Sequence, residues 1–393
     1  MGNSRSRPSS RSWTGEAPVK TTVFKRDEPP GITYRIPSLI YIREQESFFA
    51  FAEKRTSASD HDAKLIVMRR GTVEKTSIEW SPIQELTTAC LPEHRTMNPC
   101  AVFENKTQTI HLFFICVLRR TTERHQICTG KNQARLCYVF SSDFGKTWSQ
   151  AKDLTETVIG SEIHRWATFA VGPGHGVQTK SGRLVIPAYM FYIHHRCFCY
   201  PMPCFTEPHA FSFYSDDCGK TWQLGTRMRL KSCECEMAEV LDHKGQSYLY
   251  CNARNTKGHR VEALSQDDGA DFTKAHHARM LVEQPHGCQG SVVAFKVPEY
   301  ASSAEGDDET TWLLYTHPTN RKKRRDMGVY LNRAPLQGCQ WEEPLIIHEG
   351  PSGYSDLAFC EDTNTFACLM ECGQQSELEE IAFMQLDFKH MLE

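Results

Sequence analysis

Three short segments repeat one pattern along the chain: SSDFGKTW at 141–148, SDDCGKTW at 215–222 and SQDDGADF at 265–272, each reading S-x-D-x-G-x-x-[WF]. Each stands just after an alternating run such as RLCYVF or HAFSFY. An Asp that can accept turn amides, a Gly for a left-handed position and an aromatic expected to fold back over the strands describe one β-hairpin used repeatedly. Such repetition fixes an architecture before any reactive residue is considered.

From about residue 32 the remaining sequence agrees with that reading. It is a succession of short β-type runs, among them SFFAFAEKR, KLIVMRR, HLFFICVL, RLVIPAYMFY, SYLYCNAR, TWLLYTHP and EEIAFMQLDF, with little helical periodicity. Many short strands separated by turn signals suggest a sandwich, barrel or propeller. The boxes favour the propeller, because the intervals of 74 and 50 residues between Asp143, Asp217 and Asp267 each match one four-stranded blade with loops of unequal length. A chain of 393 residues then holds about six blades. The expected organisation is a flexible basic arm over 1–22 and an all-β, six-bladed single domain over 23–393. In a propeller the functional loops converge on one mouth of the central channel, so site residues should be scattered through the sequence.

A formal charge of −3 on a chain with ordinary apolar and charged fractions gives no reason to expect a nucleic-acid partner. The 17 cysteines are odd in number and irregularly spaced, and residues 1–20 lack the apolar core of a secretory leader. A reduced, cytosol-facing chain is expected. CFC at 197–199 and CEC at 233–235 lack the paired spacing and flanking His of a zinc motif, so no structural zinc is expected. The longest apolar run, IHLFFICVL at 110–118, is too short to span a bilayer and reads as a buried strand. MGNSRS fits the N-myristoylation pattern at Gly2, with Arg5, Arg7 and Arg11 supplying the basic charge that one acyl chain needs as a second signal; the alternative is a disordered tail that begins Met-Gly. SSAEGDDET at 302–310 reads as a solvated insertion. The basic run NRKKRR at 320–325 reads as a solvated face or as a surface for anionic lipid or substrate. HHRCFCYPMPCF at 194–205 reads as a loop packed over a blade or touching membrane.

The motif YRIP at 34–37 followed by the repeated boxes resembles the animal sialidase (exo-α-neuraminidase) family of the Asp-box superfamily. The likeness extends from about 31 to 390, and GITYRIP, FAEKR, HRTMNPC, WATFAVGPGHG, GCQGS and YTHPT are most similar to its vertebrate membrane-associated ganglioside branch. The resemblance implies a six-bladed propeller and a substrate, terminal sialic acid, that carries a carboxylate at its anomeric carbon. Planar bidentate cations suit that group. The resemblance assigns them to Arg35, Arg254 and Arg324, with Arg321 and Arg325 as close neighbours of the last.

A carboxylate nucleophile would be repelled by the substrate, and sialidases use tyrosine instead. Tyr354 in GPSGYSDL matches that nucleophile and Glu234 matches the base that activates it, with Glu236 and Glu239 nearby. Asp60 matches the acid/base, with Asp62 as neighbouring rival. Glu53, expected behind Arg35, and Arg55, Met97, Asn98, Ile115, Glu123, Tyr189 and Gln289 match substrate-lining positions, while Phe191 departs from the family's tyrosine. The implied activity is retaining hydrolysis of terminal α-linked sialic acid from glycolipids, gangliosides first, or glycoproteins, with neither metal nor organic cofactor. The implied location is peripheral on plasma or endosomal membrane, through Gly2 or cysteine acylation, with a cytosolic pool possible. The rival readings are a non-catalytic propeller that binds sialoglycans or proteins, and a trans-sialidase.

Overall fold

The computed structural model describes residues 18–27, 31–74, 77–201 apart from 198 and 199, 205–272, 274–296, 311–338, 340–387 and 389. The residues of the myristoylation pattern and the acidic insertion at 302–310 lie outside these. The described chain is all-β apart from short helical turns and one seven-residue α-helix, Glu123–Thr129, started by the Thr122 hydroxyl and ended by left-handed Gly130. No described helix is long and apolar enough to cross a membrane.

Neighbours in sequence pair antiparallel throughout, as short turns between alternating runs require. Thr33–Ile42, Ser47–Arg55, Ala63–Glu74 and Ser77–Trp80 form the first sheet, joined by Gln84–Glu85. His94–Glu104, Thr109–Leu118, Ala134–Ser141 and Lys152–Asp153 form the second. Trp166–Val171, Leu184–Ile193, Thr206–Ser215 and Gln223–Leu224 form the third, and the four strands from Cys235–Leu241 to His276–Val282 the fourth. The last sheet has seven strands, running from Ser291–Lys296 to Glu380–Asp387 and then to Lys20–Lys25. The first strand of the fold therefore closes onto its last, as a circular arrangement of sheets requires, and this strand begins at Lys20.

Apolar clusters fill the spaces between consecutive sheets. One joins the second and third through Phe113, Tyr138, Trp166 and Phe211, another the first and second through Phe51, Leu112 and Phe114. The result is a propeller-like assembly whose sheets stack face to face around a centre.

The boxes build the hairpin turns at its rim. In the first, Ser141 donates to Asp143 at 2.7 Å and accepts the Gly145 amide at 2.8 Å, while Asp143 accepts the Thr147 amide at 2.9 Å. The second box repeats these bonds through Ser215, Asp217, Gly219 and Thr221, and the third through Ser265, Asp267, Gly269 and Asp271. Two successive left-handed residues make each turn tight: Phe144 and Gly145, Cys218 and Gly219, Asp268 and Gly269. The box aromatic does more than cover its own strands. Trp222 meets Phe113 of the preceding sheet at 4.5 Å between centroids, and Trp148 meets Phe51 at 5.9 Å. The box is thus a rivet between sheets as well as a turn.

Candidate active site

Away from these turns, the first strands of two sheets begin in irregular backbone. The pairing of Thr33–Ile42 with its neighbour slips between Arg35 and Ser38, and Ile36 is left-handed with φ 62°. The same slip occurs between Met97 and Cys100, where Asn98 has φ 58°. A β-branched residue in that region is strained and persists only where its surroundings hold it. Here they do: Glu371 accepts the Ile36 amide at 2.9 Å and Glu53 accepts the Asn98 amide at 2.7 Å.

A cavity of about 490 Å³ opens over these bulges. Its walls gather Arg35, Arg55, Asp60, Met97, Asn98, Ile115, Glu123, Tyr189, Glu234, Arg254, Arg324 and Tyr354. Residues scattered over some 320 positions in sequence thus share one chamber.

Tyr354 is 6% exposed, and its hydroxyl donates to Glu234 Oε1 at 2.5 Å while accepting from Arg254 Nη1 at 2.9 Å. Arg254 also holds Glu234 Oε2 at 2.6 Å, and the two residues are neighbours because the ladder of their strands continues through Arg254 N to Glu234 O at 2.8 Å. The guanidinium groups of Arg35 and Arg324 each stand 5.3 Å from the Tyr354 ring centroid. Burial, and then Glu234, push the phenol well above its ordinary value, while Arg254, Arg324 and Arg35 pull the other way. Arg324 lines the cavity, whereas Arg321 and Arg325 are exposed outside it.

Two buried carboxylates aim the arginines. Glu371 holds Arg35 at 3.1 and 3.2 Å and also accepts the Tyr354 amide at 3.1 Å. Glu53 lies opposite Arg35 in the strand register, but its carboxylate grips Arg55 at 2.8 and 2.5 Å. The expected support of Arg35 by Glu53 therefore falls to Glu371, because the bulge at Ile36 turns Arg35 toward the other neighbouring sheet. Glu53 itself is fully buried and supports from beneath rather than lining the chamber.

Asp60 sits in the turn after Arg55, with 69% of its side chain exposed, 2.6 Å from Arg55 Nη1 and 3.7 Å from Arg35 Nη1. Partial burial works to raise its pKa, but Arg55, Arg35 and Arg95 together hold it below the ordinary carboxylate value. Its rival Asp62 points away, to Ser57 and Arg120. Glu123, at the start of the helix, lines the mouth of the cavity with an exposed side chain, beside walls that thin its hydration. Desolvation by those walls, and then the charge of Glu234, push it up to about 7.

Gln289 does not line the cavity. It is buried, donates to Glu236 Oε1 at 2.9 Å and accepts the Ser355 amide at 3.0 Å, which positions the strand carrying Tyr354. Glu236 belongs to this floor with Ser291, Asp356 and His175 and not to the chamber; Gly174 must be glycine there because a Cβ would strike the Glu236 carboxyl. Glu239 faces the Lys180 amide and Ser247 instead. Phe191 meets Tyr189 edge-on at 6.2 Å between centroids without lining the cavity.

Sequence reading passed over Glu371 and Arg95. The first stands out in TFACLMEC as the one charge in an apolar strand; the second follows His94 in HRTMNPC and donates to the Arg119 and Thr121 carbonyls.

A family model described as "BNR repeat-like domain" matches residues 46–367. The chain is 48% identical to Sialidase-3 of Homo sapiens over 94% of its length and 92% of that protein's. It is 45% identical to Sialidase-2 of Mus musculus, over 89% of this chain and 92% of that one. Among solved structures it is similar to the Hadza microbial sialidase Hz136, with a TM-score of 0.72 and 24% identity over 91% of this chain and 66% of that one. It is similar too to the Trypanosoma rangeli sialidase in complex with the inhibitor DANA, with a TM-score of 0.70 and 17% identity over 96% of this chain and 61% of that one.

Proposed function

Because this chain belongs to the animal sialidase family, we propose that its cavity hydrolyses terminal α-linked sialic acid with retention of configuration. The observation that carries the proposal is the Tyr354 hydroxyl bonded to Glu234 at 2.5 Å amid three guanidinium groups. A binding-only pocket has no use for a phenol poised to lose its proton to a buried carboxylate.

Arg35, Arg254 and Arg324 take the substrate carboxylate, whose charge a tyrosine tolerates where an aspartate would repel it. Glu234 removes the phenolic proton as Tyr354 attacks the anomeric carbon. Asp60 protonates the departing oxygen, then deprotonates the water that frees the sugar from Tyr354. In the free site Asp60 is held ionised by its arginines. A bound carboxylate competes for Arg35 and adds a like charge, and both effects raise Asp60 toward the protonated form it needs. Met97, Asn98, Ile115 and Tyr189 shape the pocket for the rest of the sugar.

We extend this reading to a count of six blades, for which the last sheet is the support. The long strand Leu345–Cys360 pairs with Arg325–Asn332 through its first half and with Thr365–Cys372 through its second. An apolar cluster draws residues from both halves of the seven-stranded sheet, and on this ground we read the sheet as two blades sharing one strand.

The branch resemblance and the exposed Arg321, Lys322 and Lys323 beside Arg324 favour sialic acid on gangliosides at a membrane surface. Faster release from ganglioside vesicles than from a soluble sialyl-oligosaccharide is expected; equal rates would reject the preference. If Gly2 anchors the chain, Gly2→Ala will move it to the soluble fraction of cells. For the chemistry, a 3-fluorosialyl fluoride should label Tyr354 by mass spectrometry, and time-resolved NMR should show the α-anomer of free sialic acid first. Release of the β-anomer would reject retention.

A further inference from the structure

On the third sheet, away from the chamber, the geometry points to a binding site for a divalent transition metal, zinc foremost, formed by His194, Glu207 and His209. Glu207 and His209 alternate onto one face of the strand Thr206–Ser215, and His194 follows the paired strand Leu184–Ile193. One ligand atom from each residue falls within 4.8 Å of the others. The Nε2 atoms of His194 and His209 are 3.2 Å apart, close to the edge of a tetrahedron whose metal–nitrogen bonds are about 2.0–2.1 Å. Glu207 Oε2 lies 3.9 Å from His194 Nε2.

A second observation fixes the chemistry. His209 Nδ1 lies 2.8 Å from the Met228 carbonyl, which can only accept, so Nδ1 carries the proton and Nε2 offers its lone pair toward His194. Metal-bound histidines are characteristically held this way by their outer nitrogen. Lys231 holds the other Glu207 oxygen, Oε1, at 2.6 Å and leaves Oε2 for the site. The face is graded from buried His209 to exposed His194, which leaves an entry path and an open position for water.

None of the three residues touches the catalytic cavity. A metal there would clamp together the two strands that begin and end the connection 194–205. That connection's short hairpin, Arg196–Cys197 with Tyr200–Pro201, neighbours the helix that carries Glu123, and Tyr189 stands on the first of the clamped strands. The brace would therefore steady one wall of the chamber without entering it.

The test uses the full chain, stripped with a chelator and titrated with Zn2+ against a chromophoric competitor, then with Co2+ for its absorption spectrum. One tight equivalent is expected, with Co2+ bands of nitrogen and oxygen ligation. His194→Gln and Glu207→Gln should each weaken binding at least about tenfold while leaving sialoside turnover in metal-free buffer at the parental rate. Zn2+ should also raise the melting temperature of the parent but not of the variants. Three outcomes would overturn the site: no stoichiometric binding by the parent, unchanged binding in both variants, or a Co2+ spectrum of thiolate charge transfer that neither variant alters. The last would assign the metal to some of the 17 cysteines. A plain hydrogen bond between His194 and His209 would survive as the explanation of the 3.2 Å contact in all three cases.

Discussion

The two sides of the catalytic chamber are built on opposite plans. On one, Tyr354, Glu234 and Arg254 are locked by mutual bonds of 2.5 to 2.9 Å, Tyr354 and Glu234 are each 6% exposed, and the backbone of the strand that carries Tyr354 is itself pinned by Glu371 and Gln289. On the other, Asp60 stands in a turn, 69% exposed, with charged partners that hold it ionised. In the proposed reaction the nucleophile must be in place before substrate arrives, since any reorganisation during attack adds to the barrier. The proposed acid must change protonation state within each turnover, which an open, electrostatically tunable position permits.

The largest effects should break this contrast directly. Tyr354→Phe removes the bond-forming atom and should cost about 10³-fold or more in kcat on every sialoside, whatever the leaving group, with the fold intact by circular dichroism. Asp60→Ala should cost about 10²- to 10⁴-fold on a natural sialyl-galactoside, whose leaving oxygen needs a proton. It should cost much less on a fluorogenic phenolic sialoside, which departs as a stable anion. Equal losses on both substrates would mean that Asp60 is not the acid.

Next come the carboxylates beneath the arginines. Glu371 is kept ionised despite full burial because Arg35 and the amides of Ile36 and Tyr354 outweigh the cost of desolvation. Its pKa is depressed in the fold, so its contribution to stability is present at neutral pH and is lost as pH falls through the folded value. Glu371→Gln loosens both Arg35 and the nucleophile's backbone and should lower kcat/KM about 10- to 100-fold, the worth of a hydrogen bond to a charged group. Glu53→Gln acts on Asp60 through Arg55, so its loss should appear in kcat more than in KM. If the two variants give the same kcat and KM pattern, the sides are not separately supported.

How far the sequence foretold this can be read from the same residues. The boxes announced stacked hairpins because a turn of two left-handed residues leaves a local signature: Asp, Gly and Ser at fixed spacing. Arg35, Asp60, Glu234 and Tyr354 were brought together as candidates only by family resemblance, since no local pattern states that residues so far apart in the chain line one cavity. Glu371 was missed because a buried carboxylate is explained only by its partner, here an arginine 336 positions away. Gln289 was placed in the pocket because a motif gives neighbourhood but not depth; in the fold it lies one layer below. The metal-type triad has no motif at all, since its residues meet through strand register rather than through spacing.

The finest distinction between the sides rests on Glu123, which overlooks both. Its carboxyl is pushed up to about 7 by desolvation and then by Glu234, so it is largely neutral below that pH and negative above it. An acid whose folded pKa lies above its unfolded value favours the fold while protonated, and that advantage fades as pH rises toward 7. The same rise sets a new negative charge beside an anionic substrate. KM should therefore increase by about fivefold as pH passes through 7, the worth of roughly 1 kcal/mol between charges in a wet cavity. Glu123→Gln should keep the low-pH KM at all pH values while leaving the fall in kcat that follows Asp60 deprotonation. A KM profile that bends near 7 in the variant as well would assign the titration to another group and remove Glu123 from the site's charge balance.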